Sequence, residues 1–137
     1  MNEITVQAKS VNLKKIREFV RSQLKNSVDH LFQEKIVLAI DEACQNIIRY
    51  GYDGNSDNPI KIKINLDKFK LVVDFYDKGH PMSPGKLEPK KKMTDVSPGG
   101  LGLNFINEIS SHYEFLKCEL KEFTNHLTMH INLDKKI

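Results

Sequence analysis

Glu42 and Asn46 stand four residues apart in the run Asp41-Glu42-Ala43-Cys44-Gln45-Asn46. The run lies inside an apolar pattern of helical period, and on a helix positions i and i+4 share one face. Glu42 and Asn46 therefore point the same way. A carboxylate is an acid–base group, and a neutral carboxamide oxygen is a ligand for a hard cation. Together they suit magnesium–nucleotide chemistry. The competing reading leaves both on the solvated face of an amphipathic helix. Asp41 lies one residue from Glu42, about 100° round the helix, and is expected to be solvated.

Two glycine-bearing segments follow. Asp77-Lys78-Gly79 closes a strand pattern. A carboxylate there can accept a hydrogen bond from an exocyclic amine such as that of adenine. Gly79 would let the backbone approach a ring with no Cβ between, although a plain turn has the same composition. Gly99-Gly100-Leu101-Gly102-Leu103 opens a helix. Its glycines expose backbone N–H groups, and a helix N-terminus favours phosphate. No Gly-Lys-Ser/Thr follows, so this is not a P-loop. Lys86 and Lys90-Lys91-Lys92 either reach phosphates or are solvated. His126 and His130, at i and i+4 on a strand, would be about 13 Å apart, too far to share an ion. No metal site made of protein ligands alone is expected. His80 is a candidate lining of the pocket, while His30 and His112 have no supporting partners.

The elements that must position these residues are legible as periods. Residues 3–8 alternate as a short strand. Asn12 is the expected cap of a helix over 12–26, with Leu13, Ile16, Phe19, Val20 and Leu24 as its stripe. A second helix is expected over 31–50, with Ile36, Val37, Ile40, Ala43, Cys44, Ile47 and Ile48 inward. Residues 60–67 and 71–76 form a hairpin through a turn near Asp67-Lys68. Residues 78–98 hold four of the five prolines and no apolar period, and a loop that long is usually functional. A short helix over 100–111 and two strands, 113–119 and 126–133, complete the chain. The order β-α-α-β-β-loop-α-β-β predicts an α+β two-layer sandwich, helices on one face of a mostly antiparallel sheet.

The 137 residues fit one domain, expected over 1–137. The net charge of +3, from 21 basic and 18 acidic residues, is too mild for the basic stripe of a nucleic-acid binder. No apolar run reaches the roughly 18 residues of a membrane span, and no signal architecture opens the chain. The two cysteines, Cys44 and Cys118, read as buried thiols in a reducing cytoplasm.

Taken together, the three segments resemble the Bergerat (GHKL) ATP-binding fold. The likeness is greatest to its single-domain branch, the anti-sigma factor serine/threonine kinases. The first box matches Glu42-Ala43-Cys44-Gln45-Asn46, followed by Arg49-Tyr50-Gly51-Tyr52. The second matches Asp77-Lys78-Gly79 with Pro81 after it, and the third Gly99-Gly100-Leu101-Gly102-Leu103. A closing Asn-x-Leu-Thr strand matches Asn125-His126-Leu127-Thr128. The resemblance implies Mg²⁺ and ATP, with Glu42 as general base and Asn46 as magnesium ligand. It assigns adenine recognition to Asp77, a purine wall to Gly79, a phosphate cradle to Gly100 and Gly102, and further nucleotide contacts to Leu101, Leu103 and Thr128. Residues 80–98 would be the ATP lid.

The implied activity is transfer to a serine or threonine of a STAS-type anti-sigma factor antagonist. The implied partners are that antagonist, a sigma factor and a second copy of the chain, in the cytoplasm, with no direct nucleic-acid contact. Tyr50 stands where relatives often have His, and Gly51 where they often have Ala. The lid has no arginine. The alternative is therefore a nucleotide-binding regulatory module that docks without transferring phosphate.

Overall fold

Alternation decides the sheet. In β2 (Pro59–Leu66) Ile60, Ile62 and Ile64 are buried, and Lys61 and Lys63 stand on the opposite face. In β3 (Lys70–Asp77) the core-side set is Leu71, Val73 and Phe75, Asp77 continues that side of the strand, and Tyr76 is buried on the other. The computed structural model describes residues 2–87 and 100–133, with backbone alone for 100–104. Besides these two strands it contains β1 (Glu3–Gln7), β4 (Gly85–Lys86), β5 (Ser110–Leu116) and β6 (Asn125–Asn132). The six strands form one sheet in the order β1-β2-β3-β6-β5-β4, and every neighbouring pair is antiparallel. The two-residue strand β4 falls inside the stretch expected as loop.

Three helices cover one face: α1 (Leu13–Leu24), α2 (His30–Asn46) and α3 (Gly100–Ile109). Their apolar stripes meet the buried side of the sheet in a single core. α1 follows a 3₁₀ turn, Ser10–Asn12, and Asn12 does not cap it. The Asn12 carboxamide instead donates to the carbonyl of Gln7, 2.9 Å away. Asp29 is the cap the pattern did not single out, and its side chain accepts from the amide of Phe32 at 2.8 Å on entry to α2. α2 is shorter than expected as an α-helix. Its last residues, Ile47–Gly51, widen into a π-helical turn.

α2 is the middle helix. Arg17 and Arg21 of α1 pair with Asp41 and Glu34, and Lys35 pairs with Glu108 of α3. That position corrects the reading of Asp41. It is buried, its carboxylate held by Arg17 at 3.0 Å and by the Gln45 amide at 2.7 Å. A helix flanked on two sides and floored by a sheet has almost no free face.

The connectivity brings one end of every central element together. α3 runs straight into β5 with no intervening loop, so the chain must reverse there. β5 then runs toward Leu116, which is level with His126 near the start of β6. The start of α3 therefore lies at the end of the sheet where β6 begins and β3 finishes. α2 starts beside the other end of α3, at the Lys35–Glu108 pair, and finishes against the segment after β3, where Gly51 accepts a bond from His80.

Candidate functional site

Glu42 is carried by the most enclosed turn of α2 and is 5% exposed. No hydrogen bond or ion pair engages its carboxylate among the described residues. Desolvation pushes its pKa up to about 7, against the opposing pull of Arg49 and with a small further push from Asp41. It is thus a carboxyl that both holds and releases a proton near neutrality. Asn46, one turn on, is half-buried. Its carboxamide is met from below by Tyr113 of β5, whose hydroxyl forms a side-chain hydrogen bond with it. Burial drives the Tyr113 hydroxyl well above the usual phenol range, with the nearby Cys44 and Glu42 adding to the shift. Tyr113 stays protonated and acts as a neutral hydrogen-bonding group under the pair.

Tyr113 was not among the expected site residues. A signal did exist. Tyr113 pairs with Met129 and Phe115 with Leu127, so both ride on the core side of β5. A tyrosine hydroxyl placed under a helix needs a polar partner.

Asp77 ends β3 and is 2% exposed. Its Oδ1 accepts from the amide of Gly79 at 2.8 Å and from the Asn125 carboxamide at 2.9 Å. Neither bond uses Oδ2, which is left for an incoming donor among the described residues. Desolvation raises the Asp77 pKa, and the two hydrogen bonds partly offset the rise. Asn125 also donates to the carbonyl of His80 at 2.8 Å and accepts from the amide of Met82 at 2.8 Å. One side chain thereby fixes both the acid and the segment after it.

Gly79 has a structural demand beside any ligand. A Cβ built there would fall on the carbonyl group of Gly51. The same carbonyl accepts from the amide of His80 at 2.9 Å. Nearby, the Tyr52 hydroxyl accepts from the amide of Lys78 at 2.6 Å and donates to the carbonyl of Pro59 at 2.7 Å. The π-helical turn and the Asp77–Gly79 segment are therefore one packed unit. The His80 ring turns aside to Asp53, at 2.7 Å.

Thr128 is not brought to this cleft. It pairs with Asp74 across β3 and β6, while Asp77 pairs with Asn125. Three residues separate Thr128 from Asn125, and an odd offset on a strand places the two on opposite faces. Thr128 belongs to the open face, hydrogen-bonded to Asp74. There burial tends to raise the Asp74 carboxyl, but bonds from His126 and Thr128 hold it below its usual range. The Tyr76 ring stacks on His126 at 4.4 Å, and His112, expected to be alone, faces His130 at 5.1 Å. On the helix side, Gly100, Leu101, Gly102 and Leu103 lie in the first turn of α3, at the same end as Asn46 and Asp77. Gly99 and the lysine run 90–92, with most of the lid stretch 80–98, lie outside the described residues.

The arrangement sets a free, half-ionised carboxyl and a held carboxamide on one helix, a second acid with an open oxygen at the end of the sheet, and a helix N-terminus alongside. Groups of these kinds can meet an amine-bearing ring and a cation-bound polyphosphate.

Comparison with known proteins gives a consistent result. The chain is 29% identical over 127 residues to the serine-protein kinase RsbW of Halalkalibacterium halodurans, covering 88% of this chain and 75% of that protein. Among solved structures it is similar to the histidine kinase AdeS of Acinetobacter baumannii, with a TM-score of 0.48 and 13% identity over 98% of this chain and 69% of that one. It is also similar to the catalytic domain of the histidine kinase ThkA, with a TM-score of 0.49 and 15% identity over 97% and 98%. The family model of the histidine kinase-like ATPase domain matches residues 6–131, nearly the whole sheet and all three helices, and the chain belongs to that family.

Proposed function

We propose that this chain is an ATP-dependent serine/threonine protein kinase that acts as an anti-sigma factor in the cytoplasm. In this reading it binds Mg-ATP in the cleft between α2, α3 and the end of β3. It phosphorylates a STAS-type antagonist, and as a homodimer it holds a sigma factor when the antagonist is absent. The family match and the similarity to a serine-protein kinase support it. The observation that carries it is Glu42, an enclosed residue whose carboxyl is unclaimed by any described residue and has a pKa near 7. Its side chain is enclosed, yet its oxygens stay open to solvent and unclaimed by any described residue, as an acid that must meet a substrate proton requires.

In the transfer, Glu42 takes the proton from the attacking hydroxyl. Asn46, steadied by Tyr113, would hold the Mg²⁺ that accompanies ATP, and that ion would supply charge neutralisation at the phosphates. Asp77 accepts from the adenine amine through Oδ2, and the start of α3 directs N–H groups at the phosphates.

A second reading, binding without transfer, is favoured by one fact: all three arginines lie at or before position 49, so none falls in the lid. Incubation with labelled ATP and a STAS-domain protein separates the two. Transfer is expected, and it should fall about 10²–10⁴-fold in Glu42→Ala. Transfer at the wild-type rate in that variant would remove Glu42 as base, and nucleotide binding with no transfer at all would favour the second reading.

A further inference from the structure

The other flank of Glu42 holds a cavity that the nucleotide reading does not use. It lies where the Ser10–Asn12 turn and the start of α1 meet the end of α2. Its volume is about 270 Å³, and Ser10, Leu13, Gln45, Ile48, Arg49 and Asn55 line it. Leu13 and Ile48 are apolar walls that belong to the core or pack against it. Asn55 is pinned by the amide of Ser10 at 2.8 Å, and Gln45 by Asp41 at 2.7 Å. Val11 and Tyr50, the chain neighbours of the lining residues Ser10 and Arg49, are exposed.

Arg49 supplies the charge. The chain has three arginines, and Arg17 and Arg21 are both ion-paired. Arg49 has no carboxylate within ion-pair distance among the described residues, and it rests over the ring of Tyr50 at 5.5 Å. A half-buried arginine that shares a cavity with two apolar side chains and lies over an exposed tyrosine has the composition of a protein-binding hot spot. Its geometry matches a carboxylate in two-point contact.

The position relative to Glu42 decides what docks. On α2, Gln45 and Asn46 lie to either side of Glu42, and Arg49 follows in the π-helical turn, near enough for its charge to act on Glu42. Asn46 leans to Tyr113 of β5, and Gln45 leans to Asp41 beside α1. Glu42 thus stands on the helix between Asn46, the expected metal ligand, and Gln45, which lines the cavity. We infer that the cavity seats the phosphoacceptor segment of a partner protein, a segment in which an acidic residue next to the acceptor hydroxyl pairs with Arg49 and an apolar neighbour fills the space between Leu13 and Ile48. This rests on the kinase reading and adds the recognition element of its substrate. Arg49 also helps keep Glu42 ionised. Its capture by a carboxylate would weaken that help and make Glu42 a stronger proton acceptor once the segment is seated.

The test uses the full chain without nucleotide, so that it does not depend on ATP binding. The probes are two synthetic peptides, acetyl-Leu-Glu-Ser-Leu-amide and its Leu-Gln-Ser-Leu counterpart, titrated against amide NMR signals. The glutamate peptide should move the signals of Ser10, Gln45, Arg49 and Asn55, and bind about tenfold tighter than the glutamine peptide, the gain of one charge-assisted contact. Arg49→Gln should erase that preference, and Arg49→Lys should keep part of it. Equal affinities, shifts confined to other surfaces, or no binding by either peptide would overturn the assignment. Peptide binding with these shifts but no phosphoryl transfer would leave the pocket standing and count against the kinase reading alone.

Discussion

In the proposed kinase reading, Glu42 sets the chemistry at the scale of single residues. Its folded pKa, near 7, lies above the ordinary value of 4.5. A raised carboxyl contributes stability that is complete below its unfolded pKa and lost as pH climbs through its folded one. Between pH 5 and pH 8 the wild-type chain should therefore lose stability that Glu42→Gln keeps. The variant is expected to unfold with the wild type at pH 5 and to be more stable by about 2–3 kcal/mol at pH 8. Urea titrations at the two pH values check this, and coincident curves at pH 8 would mean that the carboxyl is ordinarily ionised. The same titration should appear in catalysis as a transfer rate that rises to a plateau above pH 7. Tyr113→Phe tests the neighbouring contact. Loss of one hydroxyl bond to Asn46 should raise the Mg²⁺ concentration for half-maximal activity about 3–10-fold and leave the choice of ATP over GTP unchanged. A changed base preference with unchanged metal demand would contradict the role given to Tyr113.

At the scale of elements, the meeting of the π-helical turn with the segment after β3 explains two glycines differently. A Cβ at Gly79 meets the backbone of Gly51, which cannot move without breaking its bond to His80. A Cβ at Gly51 meets Ile47 at 3.7 Å and Asp77 at 3.9 Å, both ordinary contacts. Gly79→Ala should cost about 1–3 kcal/mol, whereas Gly51→Ala should be neutral or stabilise by up to about 1 kcal/mol. Thermal melts of both variants check the pair, and a harmless Gly79→Ala would deny that these backbones touch. Periodicity made the helices and the core strands legible, because each has one face that must be apolar. What it missed depends on neighbours. Asp41 reads as solvated until α1 is laid against α2. The family resemblance assigns Thr128 to the site, but strand parity sends it to the face opposite Asn125. The π-helical turn at Ile47–Gly51 continues the apolar period of α2 without a break, so no local residue announces it. The contacts of Gly51 with Gly79 and His80, from another element, mark where it lies.

For the whole molecule, the question is whether the gathered ends of α2, α3, β3 and β6 form one cleft that a single ligand fills. A ligand that binds only the native state raises its stability by about 2.7 kcal/mol at a hundred times its dissociation constant. In a domain of this size that is a rise in Tm of roughly 10 °C. Mg-ATP should produce it. EDTA should remove most of it, because Asn46 contributes to phosphate binding only through the metal. Asp77 separates base recognition from phosphate recognition. In Asp77→Asn the carboxamide oxygen can keep the bonds from Gly79 and Asn125, but the amide nitrogen then replaces Oδ2 as the atom facing the base. A donor opposite the adenine amine leaves both unsatisfied, at about 1–3 kcal/mol or 10–100-fold in affinity. The variant should melt with the wild type when free, keep about half or less of the wild-type response to Mg-ATP at a hundred times the wild-type dissociation constant, and tolerate a purine that carries an oxo group in place of the amine. A variant that keeps the full Mg-ATP shift would place the base elsewhere and separate the acid at the end of β3 from the carboxamide on α2, so that the gathered ends no longer serve one ligand.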